Sequence, residues 1–409
     1  MKLWLKYVIG IGIGLVAALI LPVNSVQGQA ALEFVMDIVV RIGRYMLVPM
    51  LFFSIATACY KLREENKIFK TGVWTFGVIL VSSVLLVTLG LVTSLVIELP
   101  RIPITIEKVG DVPSLDVKSL LTRIFPYSGF QVFSEGAYLL PCFVFAGLIG
   151  AGASSEKNFA RPTVTLFDSL SRVFYNVMSF FTEILAVGMI AVMCKWTVDF
   201  IVLQKVKAFM PLIMMLAADF LVVVFVVYPV VTRFLCHDKR PWRVLYAGIC
   251  PFMVSFFSGD TNLTLPLSMR HGHESLGINR RTNSVTFPLF AIFGRGGAAL
   301  VQAVCFVQIL RSYSMQGIDM KIAAWIGIMS LLLSFVLVDH PVGGPFFAIT
   351  LMCMMYGPSF EAGYLLIKDA APIICAFAAA IDTMTALFGS YIVAVRTNNF
   401  QPQEMKKYI

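Results

Sequence analysis

Ser258-Gly259-Asp260-Thr261-Asn262-Leu263-Thr264-Leu265-Pro266, and further on Phe293-Gly294-Arg295-Gly296-Gly297, interrupt a run from Pro251 to Ile309 that is otherwise mostly apolar. Between the two interruptions lies a polar, basic connector, Met269 to Asn283. A helix crossing hydrocarbon in one piece has no use for Gly, Asp, Asn and Arg at such places. Irregular backbone at membrane depth is tolerated only where protein or a wet cavity satisfies its N–H and C=O groups. The stretch therefore reads as the substrate-handling half of a carrier.

The rest of the chain agrees with a membrane setting. Of 409 residues, 58% are hydrophobic and 13% charged, against roughly 25% charged in soluble domains. This is an all-α polytopic membrane protein in contact with a lipid bilayer. The net charge of +9 comes from basic residues in short loops between apolar runs, which does not point to nucleic acid. Eight cysteines occur singly and the four histidines form no ligand spacing, so neither a disulfide framework nor a metal cofactor is expected. No Ser/His, Asp/Asp or His/Glu constellation with catalytic spacing lies in the apolar runs, so the chain is not expected to be an enzyme.

Apolar runs divide the chain. The first, Tyr7 to Leu21, follows Lys2 and Lys6 and reads as a transmembrane helix rather than a signal peptide, because everything after it is also membranous. Further spans are expected at about Leu32–Tyr60, Thr71–Ile97, Ala160–Cys194, Phe209–Leu235 and Ala362–Val395. A polar excursion, Glu98 to Lys118 with Pro113, precedes a broken fourth segment through Pro126, Gly136 and Pro141 to Gly152. A second interruption, Val338-Asp339-His340-Pro341-Val342-Gly343-Gly344-Pro345, splits the apolar run from Ile322 to Tyr356. Two Gly/Pro-broken segments in corresponding positions are the sequence pointer to a transporter's binding site. If both are re-entrant hairpins, most basic loops fall on one side, which puts both termini in the cytoplasm of a cell (inner or plasma) membrane protein.

The order of these elements resembles the dicarboxylate/amino acid:cation symporter family, the glutamate transporter homologues. The likeness rests on Arg44-Tyr45-Met46-Leu47-Val48-Pro49, Val87-Thr88-Leu89-Gly90, Phe125-Pro126 through Leu140-Pro141, Thr264-Leu265-Pro266, Gly277-Ile278, Thr286-Phe287-Pro288-Leu289, the tip Gly343-Gly344 and Ile392-Val393-Ala394. The resemblance implies eight transmembrane helices plus two re-entrant helical hairpins in inverted repeats, a homotrimer and an elevator-like movement. It divides the chain into scaffold helices 1 and 2 (1–70), transport helix 3 with its extracellular loop (71–118), scaffold helices 4 and 5 (119–200), helix 6 (201–243) and a transport core (244–409). By the same resemblance the cargo is a carboxylate or amino acid and transport is cation-coupled.

Residue by residue, the chemistry departs from that pattern. Asp260-Thr261-Asn262 and Thr264 stand where the family has a serine-rich tip. Gly294 to Ala298, with Arg295, stand where the family's Asn-Met-Asp-Gly-Thr supplies sodium ligands. Of four ligand positions in the last span, counted back from Ile392, only Asp382 is an oxygen ligand. The expected cargo contacts are therefore Asp260, Thr261, Asn262, Thr264, Arg295, Gly343, Gly344 and Asp382. A residual cation site would use Ser82, Ser83 and Asp382. An arginine in mid-membrane costs about 2.5–3.5 kcal/mol on insertion scales unless paired or solvated. Arg295 is expected to pair with Asp382 or Asp260, standing in for a cation, meeting an anionic cargo, or serving as a structural ion pair. His340, Glu183 and Asp219 are candidates for proton-linked steps; His271 and His273 read as a solvated loop. The coupling ion is thus sodium or a proton. The competing reading is a channel-like or sensor protein that kept the scaffold.

Overall fold

The computed structural model describes residues 2–20, 25–103, 117–134, 136–204, 206–237, 241–313, 317–357, 360–405 and 408–409. Lys108, Pro113 and Asp238 to Arg240, and the side chain of Asp339, lie outside the described residues. Among those described, regular structure is helical, with a single isolated bridge between Ile278 and Phe400.

The helices run α1 (Leu3–Ile20), α2 (Val26–Arg44), α3 (Leu47–Glu64), α4 (Ile68–Val96), α5 (Val117–Ile124), α6 (Gln131–Ser134), α7 (Leu140–Ser155), α8 (Lys157–Gln204) and α9 (Met210–Val222). A π-helical turn, Val223–Val227, leads into α10 (Tyr228–Cys236). Then come α11 (Trp242–Ser258), α12 (Thr261–Glu274), α13 (Arg280–Phe293), α14 (Gly296–Tyr313), α15 (Met320–Val336), α16 (Gly344–Tyr356) and α17 (Ala371–Arg396). Seven helical stretches among the described residues are long and apolar enough to cross a membrane, and α7, α11, α15 and α16 are shorter apolar helices. This is a multi-pass membrane protein.

Burial sorts the helices. The stretches Arg280–Tyr313 and Gly363–Arg396 are almost wholly enclosed by protein. By contrast α1 and α4 expose long apolar faces, including Leu19, Ile20, Val73 and Val96, as helices facing lipid do. The main core gathers side chains from α3, α13, α14, α16 and α17. A second cluster joins Leu3, Tyr7, Leu185 and Met189 of α1 and α8 to Cys250, Val254, Leu263 and Leu267 of α11 and α12. The Tyr7 hydroxyl donates to the Thr182 carbonyl at 2.6 Å, so α1 is integrated into the bundle through a buried polar contact as well as packing.

Several boundaries differ from the sequence expectation. The run Leu32–Tyr60 is two helices, interrupted at Tyr45 and Met46 before Pro49. The 48-residue α8 outruns its expected span; at 1.5 Å per residue it is about 70 Å long, more than twice the roughly 30 Å hydrocarbon core. The basic connector shrinks to residues 275–279, because α12 runs on to Glu274 and α13 starts at Arg280. His271, expected in a solvated loop, is therefore buried within α12, and His273 lies against the Ile278 carbonyl at 3.0 Å. A C-terminal strap covers the connector: Gln401 N–H donates to the Gly277 carbonyl and Asn279 N–H to that of Asn399.

Candidate functional site

The first interruption is a helix–turn–helix. Gly259 ends α11 with φ +63°, a left-handed conformation that glycine adopts without a Cβ penalty. Asp260 then caps α12, its Oδ1 accepting from the N–H groups of Asn262 (2.9 Å) and Leu263 (3.1 Å). Its other oxygen pairs with Arg44 at the end of α2. Asn262 donates to the Ala137 carbonyl at 2.9 Å, Leu263 packs over Gly43, and the Thr264 hydroxyl returns to the Asp260 carbonyl at 2.6 Å. The tip thus faces α2 and the segment before α7 with Asp260, Asn262 and Leu263, and faces inward with Thr261.

The second interruption separates α13 from α14 at Gly294 and Arg295. Asp382 of α17 closes the break by capping α14: its Oδ1 accepts from Gly297 N–H at 2.6 Å and Ala298 N–H at 3.3 Å. A carboxylate at a helix N-terminus is favoured by both the free N–H groups and the helix dipole. The approach is so close that a Cβ on Gly297 would lie 2.6 Å from Ile381 Cβ and 2.8 Å from Asp382 Oδ1. Gly297→Ala is accordingly expected to push α14 off α17, lowering the thermal midpoint and removing transport together. A variant with wild-type melting and uptake would contradict this account of the break.

Between these features lies a small enclosed cavity, lined by Thr261, Leu265 and Ser268 of α12, Phe287, Phe290 and Ala291 of α13, Arg295, and Asp382, Thr383 and Ala386 of α17. It offers about 20 Å³ to the centres of water-sized molecules, room for about one water. Arg295 is 4% exposed and its Nε has no hydrogen-bond partner among the described residues. The expected Arg295 pairing is not what forms. Asp260 is taken by Arg44, and Asp382 is engaged with the start of α14, so among the described residues neither carboxylate closes an ion pair with Arg295.

The other expected residues scatter. Ser83 is buried, its hydroxyl unpartnered among the described residues, and a Cβ on Gly296 would sit 3.2 Å from it. Ser82 bonds the Ile79 carbonyl and lines an apolar groove with Trp74, Tyr228 and Phe388. Gly343 caps and Gly344 opens α16 at the Val338–Pro345 interruption, where His340 stacks on Phe347 at 4.3 Å. Glu183 is half-exposed, paired with Lys6 (3.0 Å) and Arg270 (3.6 Å), which makes it a rim charge rather than a buried acid. Asp219 is buried and accepts from Thr93 at 3.1 Å. Ser268 and Thr383 are lining hydroxyls the sequence reading missed; each sits in an unremarkable helical run with no local marker.

Comparison with known proteins bears directly on this arrangement. The sequence profile of the sodium:dicarboxylate symporter family matches residues 3–398. The chain belongs to that family. It is thus a transporter and not an enzyme, built to move a small molecule across a membrane. It is similar to the C4-dicarboxylate transport protein of Bacillus subtilis (strain 168), 20% identical over 307 residues, 73% of this chain and 71% of the relative. It is also similar to the serine/threonine transporter SstT of Lacticaseibacillus casei (strain BL23), 26% identical over 312 residues, 74% and 68% of the two chains. The neutral amino acid transporter B(0) of Oryctolagus cuniculus is 22% identical over 318 residues, 68% of this chain and 58% of the relative.

Proposed function

We propose that the protein is a secondary-active carrier of a small organic carboxylate, an amino acid or a dicarboxylate, held by Arg295 in the cavity between α12, the α13–α14 break and α17. The observation that carries this reading is a buried guanidinium beside a small cavity, on which no carboxylate among the described residues closes an ion pair. Its planar fork matches a carboxylate bidentately, and Thr261, Ser268 and Thr383 are within the same lining. The relatives' cargoes, by name C4-dicarboxylates, serine, threonine and neutral amino acids, all carry a carboxylate. The cavity has room for about one water, so admitting cargo requires its walls, α12, α13 and α17, to part.

On this reading the chain has eight transmembrane helices and two re-entrant hairpins, with both termini cytoplasmic in a cell membrane. A scaffold of α1 to α3 and α5 to α8 forms the fixed part of a homotrimer. The remaining helices, α4 and α9 to α17, travel as an elevator. Arg295 stands where family members gather sodium ligands, so it supplies in fixed form one positive charge otherwise drawn from solution. Coupling then falls to a proton or to sodium at a remaining site near Ser83 and Asp382.

The test is uptake by purified protein in liposomes, over a panel of dicarboxylates and amino acids, with sodium, choline or a proton gradient. Saturable uptake of a carboxylate is expected, and its loss either in choline or on collapse of the proton gradient identifies the coupling ion. Passive ion current without saturable uptake would favour a channel and overturn the carrier reading.

A further inference from the structure

Away from the cargo cavity, a second polar pocket opens between α3, α8 and the start of α13. Its volume is about 210 Å³, and its lining includes Thr57 and Lys61 of α3, Asp168 and Arg172 of α8, and Arg280 and Arg281 of α13. Four cationic side chains thus share the lining with one carboxylate. Asp168 is held by Lys61 at 2.9 Å and Arg172 at 3.2 Å, and Glu65 is drawn to Arg281 from outside the lining. Two positive charges remain in excess. Arg280 is positioned rather than loose: its Nη2 donates to Ser171 Oγ at 3.2 Å and its guanidinium lies 5.3 Å from the centre of the Tyr175 ring.

Two further features point to an anion. The 14-residue α13 begins at this pocket, capped by Asn279, so its first N–H groups and helix dipole face the cationic cluster. Thr57, only 6% exposed and part of the lining, has a hydroxyl with no partner among the described residues. A buried hydroxyl left unbonded is costly, and a tetrahedral oxyanion would supply its acceptor. The volume is below that of a drug-sized ligand site but ample for a phosphoryl group with a few waters.

We infer that this pocket binds a phosphoryl group, through Lys61, Arg280 and the Thr57 hydroxyl, either as the headgroup of an anionic lipid or as free phosphate. Arginine forks match phosphate oxygens, and basic pockets at the end of membrane helices collect anionic headgroups. One wall belongs to α3 and α8 and the other to α13. If the carrier reading above holds, an occupant would tie the travelling unit to the scaffold and slow transport. Binding itself does not depend on that reading.

The experiment uses the full-length protein in nanodiscs of phosphatidylcholine alone or mixed with phosphatidylglycerol, and in detergent titrated with inorganic phosphate against chloride at equal ionic strength. A rise in thermal midpoint with phosphatidylglycerol identifies the lipid source, and a rise with inorganic phosphate the free ion. Arg280→Gln is expected to weaken binding by about tenfold or more, from loss of a charge-assisted contact. Thr57→Val removes the hydroxyl at nearly constant volume, keeps the fold testable if Arg280→Gln melts low, and should weaken binding severalfold. No shift in either arm overturns the site, and so does a shift that both variants retain in full. Because the readout is melting rather than uptake, failure here leaves the carrier reading standing, and the converse.

Discussion

Arg295→Met is expected to abolish carboxylate uptake while leaving a folded, monodisperse protein. The expectation rests on what Arg295 does not do: no carboxylate among the described residues closes an ion pair with it, so the fold does not depend on such a pair there. On the proposed reading, its fork is what the cargo carboxylate meets. Two charged hydrogen bonds to a carboxylate contribute about 1.5–3 kcal/mol each, so their joint loss reduces apparent affinity by roughly 100-fold or more. Arg295→Lys keeps the charge but not the planar pair of donors, and should retain folding with weakened, measurable uptake. Initial rates in liposomes, paired with thermal melting of each variant, decide the matter. Unchanged uptake by Arg295→Met would remove the arginine from the cargo site. Parallel loss and recovery of melting and uptake in the two variants would make it a structural cation.

Much of this was legible in the sequence because the bilayer punishes broken backbone. Gly259, Asp260, Gly294 and Arg295 have no place in an uninterrupted apolar helix, and both breaks occur where those residues stand. Asp382 was found by its spacing from Ile392-Val393-Ala394, yet its work as the cap of α14 lies 85 positions away in the chain and has no local signature. The partner of Asp260 was misread for a related reason. Arg44 is 216 residues distant, at an interruption hidden within one continuous apolar run, whereas Arg295 was the nearer and more conspicuous cation. His271 was misplaced because a His-Gly-His run looks like a loop when the burial imposed by α13 and the C-terminal strap is not visible. Local breaks are written in the chain; the pairings that satisfy them depend on which distant helices meet.

The Arg44–Asp260 pair leads to the second large expected effect, on movement rather than binding. It joins the end of α2 to the tip of the first hairpin, the surface along which the proposed travelling unit would leave the scaffold, reinforced by Asn262 on Ala137 and by Leu263 against α1 and α8. Arg44→Met would strand the Asp260 carboxylate, 1% exposed, without its cation. Breaking a buried pair from one side costs about 3–5 kcal/mol, enough to shift a docked–undocked equilibrium by at least about 100-fold. Asp260→Asn should be milder, because asparagine still caps α12 and Arg44, 19% exposed on its side chain, can recover water. A cysteine introduced at Leu263 in a Cys236→Ser background reports the change, since the other native cysteines are buried. Its labelling by a water-soluble thiol reagent is expected to accelerate strongly in Arg44→Met and less in Asp260→Asn. Equal, wild-type labelling in both variants would show that the ion pair does not hold the tip to the scaffold, and that docking there rests on the Asn262–Ala137 bond and apolar packing.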